Sequence, residues 1–435
     1  MKTVFWRLTR ALLALAVLLS AWVVWDNWGR GRPASPPQPE GPPSTATLQR
    51  GRDLLRAGNC VACHTRRDGE PLAGGRAIDT PFGKVYSSNL TPHATGLAGW
   101  SGEDFWQALH WGRSRGGRLL APAFPYNHTS VITREDSDAM FHWLRSLPPV
   151  DQPQPPHQIV WPLGTQPALA VWRSLFFSPA PLQPDPKQSA QWNRGAYLVQ
   201  GLGHCAACHS PRNALGASGA VSDLGGGLMP VVNWYAPDLT DDAETGLAST
   251  PVAETVRLLR TGVSAQAHTS GPMAEVVQHG LQYLGEDDLA AMAVYLQSRA
   301  RARAPAYGTA SLPKAVPSRS VRADVVQRGV KVYERHCAQC HGEQGQGVPG
   351  AYPALAGNRA VLLRDPTNLV QVVLYGGYSP VTAGHPRPFG MPPGILVLDD
   401  RDIAAVLTHL RTQWGHNAGE VTALQVNRIR AQQDE

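Results

Sequence analysis

The chain has 435 residues, of which 17% are charged and 43% hydrophobic. That is room for about two to four compact domains, and the mixture excludes a disordered or low-complexity protein. A formal charge of +6 permits an acidic partner, but no Lys/Arg run is dense enough for a nucleic-acid surface.

The N-terminus, MKTVFWRLTRALLALAVLLSAWVVWDNWGRG (1–31), sets Lys2, Arg7 and Arg10 ahead of a mostly apolar run from Ala11 to Trp25. That is the layout of an export signal. The run is short of the roughly 20 residues of a spanning helix. However, no small-x-small cleavage site follows, and Trp6, Trp22, Trp25 and Trp28 stand where interfacial anchors stand. Residues 1–31 are therefore expected to be a signal or a membrane anchor, with both outcomes open. Either places the body outside the cytoplasm, since the positive flank stays inside.

Three proline-rich stretches follow along the chain, RPASPPQPEGPPS (32–44), LPPVDQPQPPH (147–157) and APAYGTASLPKAVPS (304–318). Such segments are semi-rigid spacers. They divide the chain into bodies at 46–150, 191–300 and 321–415. A linker at 151–190 carries one helix, a second linker lies at 301–320, and a tail runs from 416 to 435.

The three bodies repeat one another. Each opens with an Arg-Gly helix that leads into cysteines: QRGRDLLRAGNCVACH (49–64), NRGAYLVQGLGHCAACH (193–209) and QRGVKVYERHCAQCH (327–341). SNLTPHATGLAGW (88–100) parallels PDLTDDAETGLAS (237–249). A helix ending in glycine comes next, at 103–112, 252–262 and 367–377. The closing segments 134–147, 285–298 and 399–412 start acidic and carry apolar residues at helical spacing, one buried stripe each. No alternating strand pattern of useful length is present. The fold expected is mainly α, with three tandem haem-type domains. QPALAVWRSLFFSPA (166–180) reads as a helix bracketed by prolines, either a packing strut or a membrane-surface element. GEVTALQVNRIRAQ (419–432) is open in the same way.

All six cysteines lie in three Cys-x-x-Cys-His motifs. In this arrangement two thiols add across the vinyl groups of haem, and the adjacent His ligates the iron from one face. A structural zinc site needs four ligands and would leave one pair unmatched. A thiol redox pair needs neither the His nor three copies. The motifs thus predict three covalently bound haem c groups. Their six propionates, about −6 in charge, offset the formal +6 without nucleic acid.

The sixth ligand sets potential and reactivity. Met140 and Met292 fall within closing helices and read as core, and Met229 sits in the GGGLMP turn. Met273 and Met391 lie between a middle and a closing helix with prolines beside them, so they are assigned to the second and third irons. His268 is the rival in the second body. The first body, LLAPAFPYNHTSV (119–131), has Phe124 at the comparable point and His128 four residues later. His128 is the natural replacement through an imidazole nitrogen; an open iron or another donor are the alternatives. Two imidazole ligands hold a haem at lower potential than His/Met.

The three motifs, WNRGAYLVQGLGHCAACHSPRNALGA (192–217), NWYAPDLTDDAETG (233–246), HGEQGQGVPGAYPALAG (341–357) and RPFGMPP (387–393) resemble the three-haem cytochrome c subunit of bacterial membrane-bound periplasmic dehydrogenases. These serve alcohol, aldehyde and gluconate dehydrogenases, with similar cytochromes beside molybdenum hydroxylases. The resemblance spans about residues 45–420. It implies haem attachment at Cys60, Cys63, Cys205, Cys208, Cys337 and Cys340, proximal ligands His64, His209 and His341, and distal Met273 and Met391. It implies a place on the periplasmic side of the inner membrane. The first body departs from a Pro-Ala-Met-Pro-Tyr pattern of the alcohol and gluconate branches, having Pro122-Ala123-Phe124-Pro125-Tyr126. That departure favours the molybdenum-hydroxylase branch.

The function expected is electron transfer. A catalytic dehydrogenase subunit, of the molybdenum and iron–sulfur type, would oxidise a small organic substrate and pass electrons through this chain to membrane quinone or a downstream cytochrome. A quinoprotein or flavoprotein alcohol or gluconate dehydrogenase is the alternative partner. The chain would hold no substrate-oxidising residue of its own. Two readings from other classes are an independent haem peroxidase or reductase, which needs an open iron, and a terminal-oxidase subunit.

Overall fold

The computed structural model describes residues 2–29, 41–179, 182–229, 231–303 and 322–432. Most of the proline-rich stretches 32–44 and 304–318 lie outside the described residues. Two compact units are present: Met1–Leu54 with Cys63–Gln183, and Leu55–Ala62 with Pro184–Glu435. The division falls within the first Cys-x-x-Cys-His.

In the first unit, α1 (Lys2–Val24) runs into a π-turn at Trp25–Gly29. It is longer than the apolar run alone, because Lys2–Arg10 is helical as well, and no side chain of α1 is buried. α2 (Thr45–Ala57), which carries the Arg-Gly pair, and α3 (Cys60–His64), which carries the first motif, are shared with the second unit, to which Leu55–Ala62 belongs. α4 (Gly102–Trp111) begins at a capping box, in which Ser101 and Asp104 each accept from the other's backbone N–H. It stops at Gly112, whose left-handed backbone turns the chain away. α5 (Tyr126–Thr129) is a single turn, α6 (Arg134–Arg145) is capped by Thr133, and α7 (Gln166–Phe176) is capped by Thr165 with Pro167 in its first turn.

The second unit holds α8 (Ala190–Gln200), α9 (Asp242–Thr245), α10 (Val252–Thr261), α11 (Gly271–His279) and α12 (Glu286–Arg303). It continues with α13 (Ala323–His336), α14 (Ala338–His341), α15 (Arg359–Leu362), α16 (Thr367–Tyr375), α17 (Asp400–Thr412) and α18 (Ala423–Ala431). Its two halves are joined closely. Tyr235 and Asn368 exchange two hydrogen bonds of 2.7 Å, and the Arg359 N–H donates to the Gln266 carbonyl at 2.8 Å.

One helix crossing recurs three times. An Arg-Gly helix packs on a closing helix in the pairs α2/α6, α8/α12 and α13/α17. At each, glycine lies where a Cβ would run into a backbone carbonyl: Gly51 on Ala139, Gly195 on Ala291 and Gly329 on Ala405. Only a residue without a side chain permits that approach. The preceding arginine reaches back one turn on the same partner helix, as Arg50 to Asp136 at 2.5 Å, Arg194 to Asp288 at 2.8 Å and Arg328 to Asp402 at 2.9 Å. The Arg-Gly repeat is thus a packing device.

Short strands were not expected, and they occur. β1 (Ala77–Thr80), β2 (Gly83–Tyr86) and β3 (Gln158–Ile159) form one antiparallel sheet, with β4 (Gly227–Met229) on β5 (Trp234–Ala236) and β6 (Gly377–Tyr378) on β7 (Gly390–Met391) as two-stranded ladders. Met229, expected in a turn, ends β4. Four residues or fewer cannot display a period of two, and all of these strands lie in loops around the motifs.

Both ambiguous helices are packed. α7 buries Leu169, Ala170 and Arg173, and the tail helix α18 buries Val426 and Ile429 in the core formed by Val332, Val370, Leu374, Ile403 and Leu407. Met140 and Met292 are core residues, as expected.

Candidate haem sites

Each motif follows its Arg-Gly helix directly, so the crossing with the closing helix fixes where the thiols start. None of the six cysteines is in a disulfide. Burial, and after it the neighbouring thiol, pushes Cys205 up to about 12 and Cys337 up to about 11. Burial that disfavours the thiolate at these two positions argues against a thiolate metal site there. Among the described residues no three His, Cys, Asp or Glu side chains gather as a ligand set for a bare ion.

The motif histidines are all oriented in one way. His64 Nδ1 faces the Ser88 carbonyl at 2.8 Å, His209 Nδ1 the Pro237 carbonyl at 2.8 Å, and His341 Nδ1 the Pro353 carbonyl at 2.9 Å. A carbonyl only accepts, so Nδ1 must carry the proton and Nε2 keeps its lone pair for a metal. Burial lowers the pKa of all three imidazoles, and the carbonyl bond only partly opposes it. They are therefore neutral, the ligating form.

The loop beyond each histidine is built alike. Gly74, Gly226 and Gly347 donate backbone N–H to the carbonyls of His64, His209 and His341 at 2.7, 2.9 and 2.8 Å. Each adopts φ between +64° and +76°, and a Cβ there would run into the backbone beside the carbonyl that holds the imidazole. The residues present therefore fit covalent haem: paired thiols outside any disulfide, and an imidazole with its tautomer set.

The distal candidates differ from copy to copy. In the first, the Leu120 N–H bonds the Gly112 carbonyl at 2.8 Å and Phe124 follows four residues on. In the second, the Thr269 N–H bonds the Gly262 carbonyl at 2.8 Å and Met273 follows four residues on. Phe124 and Met273 hold the same place in the same frame. Met273 is half-buried in the first turn of α11. Met391 is half-buried on β7, opposite Gly377, and packs on the core that contains Val370 and Leu374. His128 is 2% exposed on α5, whose Thr129 hydroxyl donates to the Leu109 carbonyl at 2.6 Å. His268, the rival to Met273, instead approaches Asn358 at 3.3 Å, and the His341 imidazole lies close enough to join burial in pushing its pKa down to about 4.

Sequence reasoning missed the carbonyl acceptors of Ser88, Pro237 and Pro353. They lie 24, 28 and 12 residues from their histidines, and a backbone carbonyl has no residue signature.

A family model described as cytochrome c matches residues 326–414. The cytochrome c subunit of a quinone alcohol dehydrogenase from Gluconacetobacter polyoxogenes is 36% identical over 398 residues, covering 89% of this chain and 84% of the relative. The gluconate 2-dehydrogenase cytochrome c subunit of Pantoea cypripedii is 36% identical over 401 residues, covering 88% and 90%. A nicotinate dehydrogenase subunit of Pseudomonas putida is 41% identical over 386 residues, covering 87% of this chain but 31% of that protein.

Proposed function

Because the chain belongs to the family of cytochrome c subunits of bacterial dehydrogenases, we propose that it is a three-haem electron carrier on the periplasmic side of the membrane. It takes electrons from a catalytic dehydrogenase subunit and delivers them to membrane quinone or a downstream cytochrome. The observation that carries this reading is the threefold clamp on His64, His209 and His341, each Nδ1 on a backbone carbonyl and each Nε2 left for iron.

On this reading Cys60, Cys63, Cys205, Cys208, Cys337 and Cys340 attach haem in three tandem domains. Bound haem supplies one-electron chemistry at its iron. The chain's own residues hold the irons in place and tune them. Met273 and Met391 offer thioether ligands to the second and third. His128 is the candidate at the first, where Phe124 has no lone pair to give. Substrate oxidation belongs to the partner.

The Phe124 substitution favoured a molybdenum-hydroxylase partner. Coverage supports the other branch better, since the chain accounts for 84% and 90% of the alcohol and gluconate dehydrogenase cytochromes. A quinoprotein or flavoprotein that oxidises an alcohol or sugar acid is therefore the partner proposed. A nicotinate-dehydrogenase-type partner is the second reading, favoured by the 41% identity to the Pseudomonas putida protein.

The test is gentle isolation from membranes, followed by mass spectrometry of the complex and cofactor analysis. Three haem masses on this chain and a quinone- or flavin-bearing subunit are expected. Stoichiometric molybdenum and iron–sulfur would move the partner to the second reading. A cytochrome that purified alone and turned over peroxide would overturn the electron-carrier reading.

A further inference from the structure

The π-turn at Trp25–Gly29 follows the apolar helix and aims Asn27 into the first unit. Asn27 is 7% exposed. Its Nδ2 donates to the carbonyls of Val23 and Ala170 at 3.0 Å and lies 2.9 Å from the Ser174 hydroxyl. Its Oδ1 accepts from Nε of Arg173 at 3.1 Å. Arg173 is 3% exposed, and its guanidinium lies over the rings of Tyr126 and Phe177. A buried guanidinium needs acceptors, and Asn27 supplies one from the N-terminal segment. Beside it Val23 packs on Leu119, Leu169 and Ala170, and the Arg113 guanidinium lies over Trp28. A leader that is discarded after export has no reason to complete the core of the body it leaves.

The surface around this clasp is apolar. Val171 and Leu175 are exposed on α7, one turn apart and beside the docked face, and Val160, Trp161 and Leu163 are exposed in the turn that leads into α7, with Trp161 82% exposed. The helix they flank has no buried side chain of its own. Fifteen uncharged residues lie between Arg10 and Asp26. At about 1.5 Å per residue that run rises about 22 Å, and the helical stretch from Lys2 to Arg10, whose long basic side chains can snorkel, extends it to the roughly 30 Å of bilayer hydrocarbon.

We infer that Lys2–Gly29 stays on the mature protein as a membrane-spanning anchor clasped by Asn27 and Arg173, and that the Trp161–Leu175 face lies in the lipid headgroup layer beside it. Because the anchor emerges against α7, this apolar face is continuous with a helix whose own surface needs lipid, and tryptophan at the exit suits the interface. The inference rests on export of the chain and on none of the haem assignments.

Intact mass of the full chain, isolated from membranes of a bacterium that attaches haem c, gives the first answer and counts haem separately. A mass that includes residues 2–29, on protein that resists alkaline carbonate extraction, is expected; a mature N-terminus beyond Gly29 overturns the anchor. The clasp is tested in Asn27→Leu. Hydrogen exchange across residues 166–176 should quicken by about tenfold while haem content holds, and unchanged exchange sinks it. For the face, a nitroxide at Trp161→Cys in phosphatidylethanolamine–phosphatidylglycerol vesicles should collide more with oxygen than with a water-soluble nickel chelate. The reverse, with shielding only when a dehydrogenase partner is added, would make the face a protein contact and overturn its placement in lipid.

Discussion

The first and second copies share a frame and part at one side chain. Gly112 with Leu120 and Gly262 with Thr269 form the same backbone link, at 2.8 Å in both, and four residues on stand Phe124 and Met273. Beyond that point the second copy continues as α11 from Gly271 to His279, while the first makes the single turn Tyr126–Thr129 and buries His128. Frame and donor are therefore separable. The frame is built from backbone hydrogen bonds and glycine, whereas the donor is one side chain set into it. On the proposed reading, what would distinguish the first two irons within the shared frame is the donor side chain.

The largest break comes from removing a frame residue. His209→Ala loses both the proposed iron ligand and the group on the Pro237 carbonyl, and should abolish haem loading at the second motif. Intact mass should fall by one haem while the other two persist. Changing the donor alone is subtler. Phe124→Met places a thioether where the second copy has one, so a far-red sulfur-to-iron band should gain intensity and the first haem should titrate at higher potential. If His128 keeps the iron, the band is unchanged, and His128→Ala should then open that site to carbon monoxide.

The crossing itself can be tested without touching a ligand. Gly195→Ala drives a Cβ into the Ala291 carbonyl and should cost about 2 kcal/mol of stability, read from the urea midpoint. By contrast, Arg194→Ala removes a half-exposed pair with Asp288, worth about 0.5–1 kcal/mol. A loss from Arg194→Ala equal to that from Gly195→Ala would mean that the ion pair, not the close approach, holds the crossing.

The smallest effect is the share of a pH slope that one histidine of the first copy carries. His110 stacks on Trp106 with ring centroids 3.6 Å apart, and burial pulls its pKa down to about 4. The unfolded chain takes up the proton near the ordinary histidine value of about 6.5 and the folded one does not, so stability should fall as pH drops from there towards about 4. In His110→Gln part of that slope should vanish.

Much of this was legible in the residues. Cys-x-x-Cys-His names its chemistry because two thioethers and an imidazole must come from adjacent positions, and the Arg-Gly helices repeat because each meets a closing helix. The short ladders were not legible, since β6 and β7 are two residues each. The branch of the family is weakly legible, because the residues tilt it by one position, Phe124, whereas the chain-long likeness leans towards the alcohol and gluconate dehydrogenase cytochromes.

By itself the sequence determined the cofactor class and the number of motifs, and it named the cysteines proposed to attach haem, because covalent attachment is a local demand. It also determined that the N-terminus is apolar and flanked by positive charge. The tertiary structure decided which nitrogen of His64, His209 and His341 keeps its lone pair, since the acceptors on Ser88, Pro237 and Pro353 come from distant loops. It decided that Asn27 belongs to the body it precedes. These depend on contacts between segments far apart in the chain, where burial and hydrogen-bond demand are settled only once the chain has folded.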